Sequence, residues 1–381
     1  MSLVAASHRS VNTPKLRLHR TKGSMFLQID RRCTLCGSLR IDPSFAVSVP
    51  SSLVNRAWAA GRKSSCRKFV SMMAPPVVAN VGLASAGRVL SIQSHTVHGY
   101  VGNKAAVFPL QLLGFDVDPV NSVQFSNHTG YAAVKGQVLD GEQLWALIEG
   151  LEANDLLHYT HLLTGYIGSV SFLETVLRVV KKLRTVNPNL IYVCDPVMGD
   201  DGKFFVKPEL LPVYREKVVP VATMITPNHF EAEQLTGRQI VTEAEALQAC
   251  VDLHAAGPSK VVITSIMLND MLTVIGSHLQ SKGMPPKQFK IVVTKLNSYF
   301  TGPGDLMTAL LLGWSQKFPD DLEKATELAV SSLQAVLRNT IAGHKAGTSP
   351  EPQSKQLELR LIQSANDIRS PATKFFAQKL I

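Results

Sequence analysis

Short apolar segments alternate with helical segments from residue 88 onward. The apolar segments are 88–93, 115–123, 161–165, 190–194, 223–226 and 260–265. The central ones are apolar at every position, which is typical of strands buried on both faces of a parallel sheet. Between and after them, helical spacing covers 103–113, 141–153, 169–186, 242–256, 305–315 and 320–341, and a late antiparallel pair is expected at 271–277 and 289–294. The order predicts a three-layer α/β/α domain, with helices on both faces of a mainly parallel central sheet.

The positive charge of the chain is confined to its N-terminal part. The formal net charge is +10, and residues 1–87 hold 13 Lys or Arg but only two acidic residues, Asp30 and Asp42. The rest of the chain has 26 basic and 27 acidic residues and no basic stripe that would suit nucleic acid. We therefore predict a basic, disordered extension over 1–87 and one α/β domain over 88–381.

The composition of the extension resembles that of an organelle transit peptide, because it is rich in Ser and Arg and poor in acids. The alternatives are a tail without a role and a shorter chain that starts at Met72 or Met73. A cytoplasmic or plastid location follows from these options. No apolar run approaches the roughly 20 residues that cross a bilayer, so no membrane segment is expected.

The five cysteines indicate a reducing compartment rather than a disulfide framework. Cys33 and Cys36 form a lone Cys-x-x-Cys in the extension, without a second ligand pair at zinc spacing. Cys194 and Cys250 lie in apolar segments and are predicted to be buried thiols.

The segment Tyr299–Gly313 is expected to be a glycine turn that opens onto a helix. Gly302 and Gly304 let the backbone approach a ligand closely, and a helix N-terminus attracts phosphate. Asp305 could accept the proton of an attacking hydroxyl, or it could be an ordinary helix N-cap. Pro303, between the glycines, has no backbone N–H to offer.

Polar residues close to the predicted strand ends are the other candidates, because ligands of such sheets bind beyond the carboxyl ends of the strands. They are Ser94, His95, Thr129, Asp195, Asp200, Thr226, Asn228, Glu231, Thr264 and Ser265. Asn228 and Glu231 could hold Mg²⁺ through water, or they could cap a helix. Asp195 and Asp200 could neutralise a metal and phosphate, or serve a turn. His95, His98 and His128 do not match a zinc spacing.

Five segments carry a resemblance to a known family when they are taken in order. They are SHTVHGYVGN (94–103), SVQFSNHTGY (122–131), LTGY (163–166), VCDPVMGD (193–200) and ITPNHFE (225–231), and the closing turn and helix follow. From residue 88 to 369 the chain resembles the pyridoxal kinases of the ribokinase-like superfamily, and most closely the plant form.

The resemblance implies transfer of the ATP γ-phosphoryl group to the 5′-hydroxymethyl of pyridoxal, pyridoxine or pyridoxamine, by a homodimer. It implies that Asp305 is the general base and that Gly302 and Gly304 form an anion hole. By position, the vitamer residues would be Ser94, Thr129, Tyr166 and Asp305, and the ATP residues would be Asp195, Asn228, Glu231, Thr264, Ser265 and Gly304. Asp200, Thr226 and Glu231 would place the cations, Mg²⁺ and a monovalent ion such as K⁺.

Three positions depart from the family pattern. Pro303 replaces a threonine, His229 replaces a glutamine, and Phe205 replaces a tyrosine near the adenine. Losing one donor that stabilises the transition state can cost roughly 10²–10³ in rate, although proline is well tolerated in a first helical turn. Two alternatives therefore stay open, an impaired B6- or nucleotide-binding protein and a hydroxymethylpyrimidine kinase of the same superfamily.

Overall fold

The computed structural model describes residues 17–21, 24–28, 86–345 and 357–380, and the chain divides into two compact units, 1–79 and 80–381. In the first unit, β1 (Arg17–Thr21) pairs antiparallel with β2 (Ser24–Gln28). The cysteines and alternative starts of the predicted extension, Cys33, Cys36, Cys66, Met72 and Met73, lie outside the described residues. The boundary at residue 87 and the targeting role stay predictions.

The second unit is built on a ten-stranded sheet, counted over the described residues. Its strands are β3 (Arg88–Thr96), β4 (Asp116–Phe125), β5 (Gly136–Val138), β6 (His161–Thr164), β7 (Ile191–Cys194), β10 (Met224–Ile225), β11 (Lys260–Leu268), β12 (Met271–His278), β13 (Lys287–Val293) and β14 (Gln378–Lys379). The order is β14-β13-β12-β11-β10-β7-β6-β3-β4-β5, parallel from β11 to β4 and antiparallel at both edges. A separate small hairpin joins β8 (Gly199–Asp200) to β9 (Lys203–Phe204).

Helices cover both faces of this sheet. They are α1 (Asn103–Leu112), α2 (Gly141–Ala153), α3 (Val170–Val186), α4 (Leu210–Val213), α5 (His229–Thr236), α6 (Glu243–Ala256), α7 (Pro303–Lys317), α8 (Leu322–Lys345) and α9 (Ala365–Arg369). One apolar core holds residues of α2, α3, α5 and α6, and a second holds residues of α1, α7 and α8. Neighbouring residues of β6 divide between them, with Leu162 in the first core and Leu163 in the second. The predicted three-layer arrangement is confirmed.

Local sequence signals explain where several helices begin. Ser169 caps α3 by accepting a hydrogen bond from the N–H of Phe172. Thr242 and Glu245 form the predicted capping box of α6. Cys194 and Cys250 are buried free thiols, as expected. Over the residues that the structure describes, no helix combines the length and the apolar character needed to cross a bilayer.

The strands differ from the predicted segments in ways that affect the site. β3 continues to Thr96, so Ser94 lies inside this strand rather than after it, and β11 continues to Leu268, so Thr264 and Ser265 lie within the strand rather than at its end. The register of the sheet shifts at these positions, between Gln93 and Ser94 and between Ile263 and Ile266. Such irregularities re-aim side chains next to active sites, and short-range apolar pattern does not reveal them.

Candidate active site

The start of helix α7 lies next to loops that follow the central strands β7 and β10. Asp195 comes directly after β7, and Thr226 comes directly after β10. An added Cβ on Gly304 would lie 3.8 Å from Asp195 Oδ2, which places the glycine turn beside this carboxyl. The predicted meeting of the turn with the strand ends is therefore present in the fold.

Gly302 is the residue that caps α7, and its backbone requires glycine. Its φ is +76°, and a Cβ there would lie 2.1 Å from the carbonyl oxygen of Tyr100. The helix begins at Pro303, so Asp305 is its third residue and the reading of Asp305 as an N-cap is wrong. Pro303 occupies the first position, where the N–H has no partner within a helix in any case.

Two backbone donors remain at this helix start. Leu306 N–H binds Gly302 O at 3.1 Å, as the first bond of the helix. The N–H groups of Gly304 and Asp305 make no hydrogen bond to any residue that the structure describes. With the partial positive charge of the helix end, these two donors are suited to attract an anion, whereas Pro303 has no N–H to add.

The Asp305 carboxyl group is suited to accept a proton near neutral pH. It keeps partial solvent access, while the surrounding protein atoms raise its pKa from 3.8 to about 6, and the N–H of Gly102 opposes this rise. A general base works best when its pKa lies near the operating pH. Asp305 therefore combines the geometry and the basicity that proton abstraction needs.

Asp195 shares its surroundings with two other carboxyl groups. Burial raises its pKa well above the ordinary value, and the charges of Glu231 and Asp305 raise it further. Burial also raises the pKa of Glu231, to about 8, against hydrogen bonds from the backbone of Asn228, Met198 and Gly199. Burial and mutual repulsion disfavour the ionised forms of these carboxyls, and a positive charge beside them would favour ionisation.

Glu231 and Asn228 form a capping box at the start of α5. Glu231 Oε2 accepts from Asn228 N–H at 2.9 Å, and Asn228 Oδ1 accepts from Glu231 N–H at 2.9 Å. Glu231 Oε1 accepts from Met198 N–H at 2.9 Å. The capping interpretation is therefore confirmed, and with the third backbone hydrogen bond, from Gly199, it leaves the carboxylate about one lone pair for a water-bound ion.

The side chains that the structure describes do not form a complete set of protein ligands around a metal. Over the described residues, no group of three or more His, Cys, Asp or Glu side chains is arranged to hold a metal ion. Mg²⁺ commonly binds through one or two carboxylates, water and substrate phosphates, which such an arrangement allows. Asp200, on β8, is exposed as a whole residue, and neighbouring protein atoms that partly desolvate its carboxyl raise the pKa of that group.

The side chain of Thr226 is buried beneath the surface that a ligand would contact. It is 2% exposed, and its hydroxyl lies 2.9 Å from the hydroxyl of Thr308, on α7. The Thr308 hydroxyl in turn donates to Asp195 Oδ2 at 3.2 Å. Thr264, half-buried in β11, donates its N–H to Pro227 O at 2.9 Å. The ATP-side candidates thus lie on adjoining segments.

Besides Asp305, the vitamer-side candidates are Ser94, Thr129 and Tyr166, and they lie on strands of the sheet or on the loops that follow them. Gly102 packs on Ser94, because a Cβ there would lie 2.0 Å from Ser94 O. Tyr166 follows β6, and its carbonyl accepts from Ser122 Oγ at 3.1 Å. Thr129 is exposed on the loop after β4. The N–H of Gly102 interacts with the Asp305 carboxyl, so the vitamer side of the site adjoins the glycine turn.

Sequence reasoning missed two residues of the site. Thr308 lies one helical turn after Asp305, a spacing of three that puts both on one face of α7 and could have signalled it. Gly102 was quoted in a motif without a role, and its φ of +53° beside Asp305 is visible only in the folded chain.

The fold and the site together define a small-molecule kinase of the ribokinase-like class. The sequence model of the phosphomethylpyrimidine kinase family matches residues 151–348. The chain is 66% identical over 308 residues to a pyridoxal kinase from Arabidopsis thaliana, covering 81% of this chain and 99% of that protein. It is 52% identical over 301 residues to a pyridoxal kinase from Sus scrofa, covering 75% and 94%. It belongs to the pyridoxal kinase family.

Solved structures agree with this assignment. The pyridoxal kinase of Leishmania donovani in complex with ADP aligns with a TM-score of 0.71 at 37% identity, covering 77% of this chain and 99% of that one. The same kinase in complex with ADP and pyridoxamine aligns equally, at 36% identity.

Proposed function

We propose that this chain phosphorylates the 5′-hydroxymethyl group of pyridoxal, pyridoxine and pyridoxamine, with ATP as the phosphoryl donor. The observation that carries the proposal is the Asp305 carboxyl, with a pKa of about 6, beside two N–H groups at the start of α7 that have no partner among the described residues. The relatives support the substrates, since the Leishmania donovani kinase is known in complexes with ADP and pyridoxamine and with ADP and pyridoxine.

In this reaction Asp305 takes the proton of the vitamer hydroxyl as the oxygen attacks the γ-phosphorus. The new O–P bond forms while the bond between the γ-phosphorus and the β–γ bridging oxygen breaks, and ADP leaves with that electron pair. The N–H groups of Gly304 and Asp305 stabilise the negative charge of the phosphoryl oxygens. Gly302 contributes the left-handed turn that aims them.

The ATP side is assigned to Asp195, Asn228, Glu231, Thr264, Ser265 and Gly304. Asp200 and Glu231 would hold Mg²⁺, and Thr226 would help to place a monovalent ion such as K⁺. A divalent ion bound here supplies positive charge that offsets both the buried carboxyls and the phosphates of ATP. The raised pKa values of Asp195 and Glu231 support a cation at this place.

The vitamer side is assigned to Ser94, Thr129 and Tyr166. Ser94 and Thr129 have hydroxyls that can bind the ring substituents, and the half-buried Tyr166 offers a flat apolar face to the pyridine ring.

The direct test is product formation by the purified full chain. The chain, ATP, Mg²⁺ and pyridoxal are expected to yield pyridoxal 5′-phosphate and ADP, while Asp305→Asn, which keeps the size of the side chain, yields little. A chain that consumes ATP with hydroxymethylpyrimidine but not with pyridoxal would establish the alternative kinase. A chain that binds pyridoxal but is as inactive as Asp305→Asn, with activity restored by Pro303→Thr, would establish the impaired form.

Two further properties are proposed on the resemblance and on composition. A homodimer is expected, and light scattering that gives the mass of one chain would contradict it. A plastid location is expected from the basic extension, and a fluorescent fusion of residues 1–80 that stays in the cytosol would contradict it.

A further inference from the structure

A short C-terminal segment touches the polypeptide directly before the glycine turn. Leu357 forms a parallel bridge with Phe300. Its N–H donates to Tyr299 O at 2.8 Å, and its carbonyl accepts from Thr301 N–H at 3.2 Å. Since Gly302 follows Thr301 directly, this segment fixes the approach to helix α7.

The next residue, Glu358, reaches two other loops with its carboxylate. Oε2 accepts from the backbone N–H of Tyr100 at 3.1 Å. Oε1 accepts from the hydroxyl of Tyr131 at 3.2 Å and lies 3.4 Å from Nε2 of His128. The first loop follows β3, which carries Ser94, and the second contains Thr129. One side chain thus contacts both loops assigned to the vitamer.

The neighbouring histidine has Nε2 close to Glu358, at 3.4 Å, without a hydrogen bond between them. The N–H of Gly130 donates to Nδ1 of His128 at 3.0 Å, so Nδ1 is an acceptor. In the neutral ring the proton is then on Nε2, which faces the Glu358 carboxylate. The rings of His128 and Tyr131 also pack edge to face, with centroids 4.6 Å apart. The carboxylate therefore lies beside two side chains, those of His128 and Tyr131, that hold each other in place.

Glycine at position 99 allows the Glu358 carboxylate to lie close to the backbone of the loop 98–102. A Cβ there would lie 2.2 Å from Glu358 Oε2, and its φ of +87° also favours glycine. On its other side the same loop meets the reaction turn, through Tyr100 O against Gly302 and Gly102 N–H against Asp305. The loop is thus held between Glu358 and the catalytic turn.

The carboxylate of Glu358 is stabilised in its charged form. Burial alone would raise its pKa, but the nearby His128 and the hydrogen bonds from Tyr100 and Tyr131 outweigh burial and lower it below the ordinary value. The side chain is only 21% exposed. Hydrogen bonds to a charged, partly buried acceptor are stronger than those between neutral groups.

We propose that Glu358 is a positioning residue that holds the two vitamer loops, 98–102 and 128–131, in register with the Gly302–Asp305 turn. The proposal rests on the proposed function, because it concerns the vitamer site of that reaction. Glu358 has no contact with the ATP-side residues Asp195, Asn228 and Thr264 among its described bonds. Its removal should therefore loosen vitamer binding selectively.

The test compares Glu358→Gln with the unmodified full chain. Glutamine keeps the size of the side chain but loses the charge, so the KM for pyridoxal should rise about tenfold, the effect of one weakened hydrogen bond to a charged group. The KM for ATP should stay unchanged. Tyr131→Phe removes the hydroxyl that donates to Glu358 and should also raise the KM for pyridoxal. This variant replaces Glu358→Gln in the test if Glu358→Gln does not fold. Glu174→Gln, which breaks the exposed 3.0 Å ion pair with Lys217, is the matched control and should change neither constant.

Because the two substitutions remove one shared contact, the double variant should raise KM by less than the product of the single changes. The proposal would be overturned if the KM for pyridoxal stayed unchanged in both single variants. It would also be overturned if the KM for pyridoxal and the KM for ATP rose equally. If the unmodified chain transfers no phosphoryl group, the proposed function fails, and the dissociation constants for pyridoxal measured by calorimetry still decide the role of Glu358.

Discussion

Pro303 offers the sharpest test of how the anion site works, because it removes one backbone donor from the helix start. If that N–H were a working donor, its loss would cost roughly 10²–10³ in kcat. In the structure Pro303 is the first residue of α7, and the free donors belong to Gly304 and Asp305. We therefore expect Pro303→Ala, which restores the N–H alone, and Pro303→Thr, which also adds the hydroxyl, to change kcat by less than about tenfold.

The same substitutions of Pro303 should lower the stability of the protein. Proline restricts the unfolded chain, and its fixed φ suits a first helical position, so its replacement should cost about 0.4–1 kcal/mol. For a unit of this size that lowers Tm by about 1–4 °C. The measurements are steady-state kcat with pyridoxal and a thermal scan for the three proteins. A rise in kcat of about 100-fold or more in Pro303→Ala would show that the missing N–H belongs to the working site and would refute this reasoning.

Two further predictions concern the buried groups under the site. Thr308→Val removes bonds of 2.9 and 3.2 Å to Thr226 and Asp195, so the free energy of unfolding in urea should fall by about 1–3 kcal/mol, whereas Thr185→Val on the exposed face of α3 should change it little; an equal loss in both would count against the network. Burial raises the folded pKa of Glu231 from 4.5 to about 8, so the stability from its protonated form is present below about pH 4.5 and is lost as pH rises through about 8. Tm without ligands should thus fall across this range more steeply in the unmodified chain than in Glu231→Gln, and parallel Tm curves for the two proteins would contradict the assignment.

Most of the sheet could be predicted from sequence because its parallel strands are continuous apolar runs. The edge strands β5 and β14 escaped prediction, since all three residues of Gly136–Val138 are exposed and Gln378–Lys379 has two residues. Their pairing depends on a neighbouring strand rather than on their own pattern. The predicted start of α7, Asp305, lies two residues after the observed start at Pro303, where the fixed φ of proline suits the first helical position.

The site could be predicted in part for a similar reason. Asp195, Asn228 and Asp305 stand at the ends or starts of elements, where topology alone brings polar residues together. Glu358 could not be found in this way, because it is 258 residues from its partner Tyr100 and its neighbours carry no motif. Contacts of such separation depend on the whole fold.

The most direct test of the central claim is the pH dependence of kcat/KM for pyridoxal in the unmodified chain and in Asp305→Asn. A general base must be ionised, so kcat/KM should rise with pH through about 6 and then level off. Asp305→Asn should lose about 10²–10⁴ in kcat, and its residual activity should lack this rise. If Asp305→Asn keeps most of the activity and the same rise near pH 6, Asp305 is not the base and the account is contradicted.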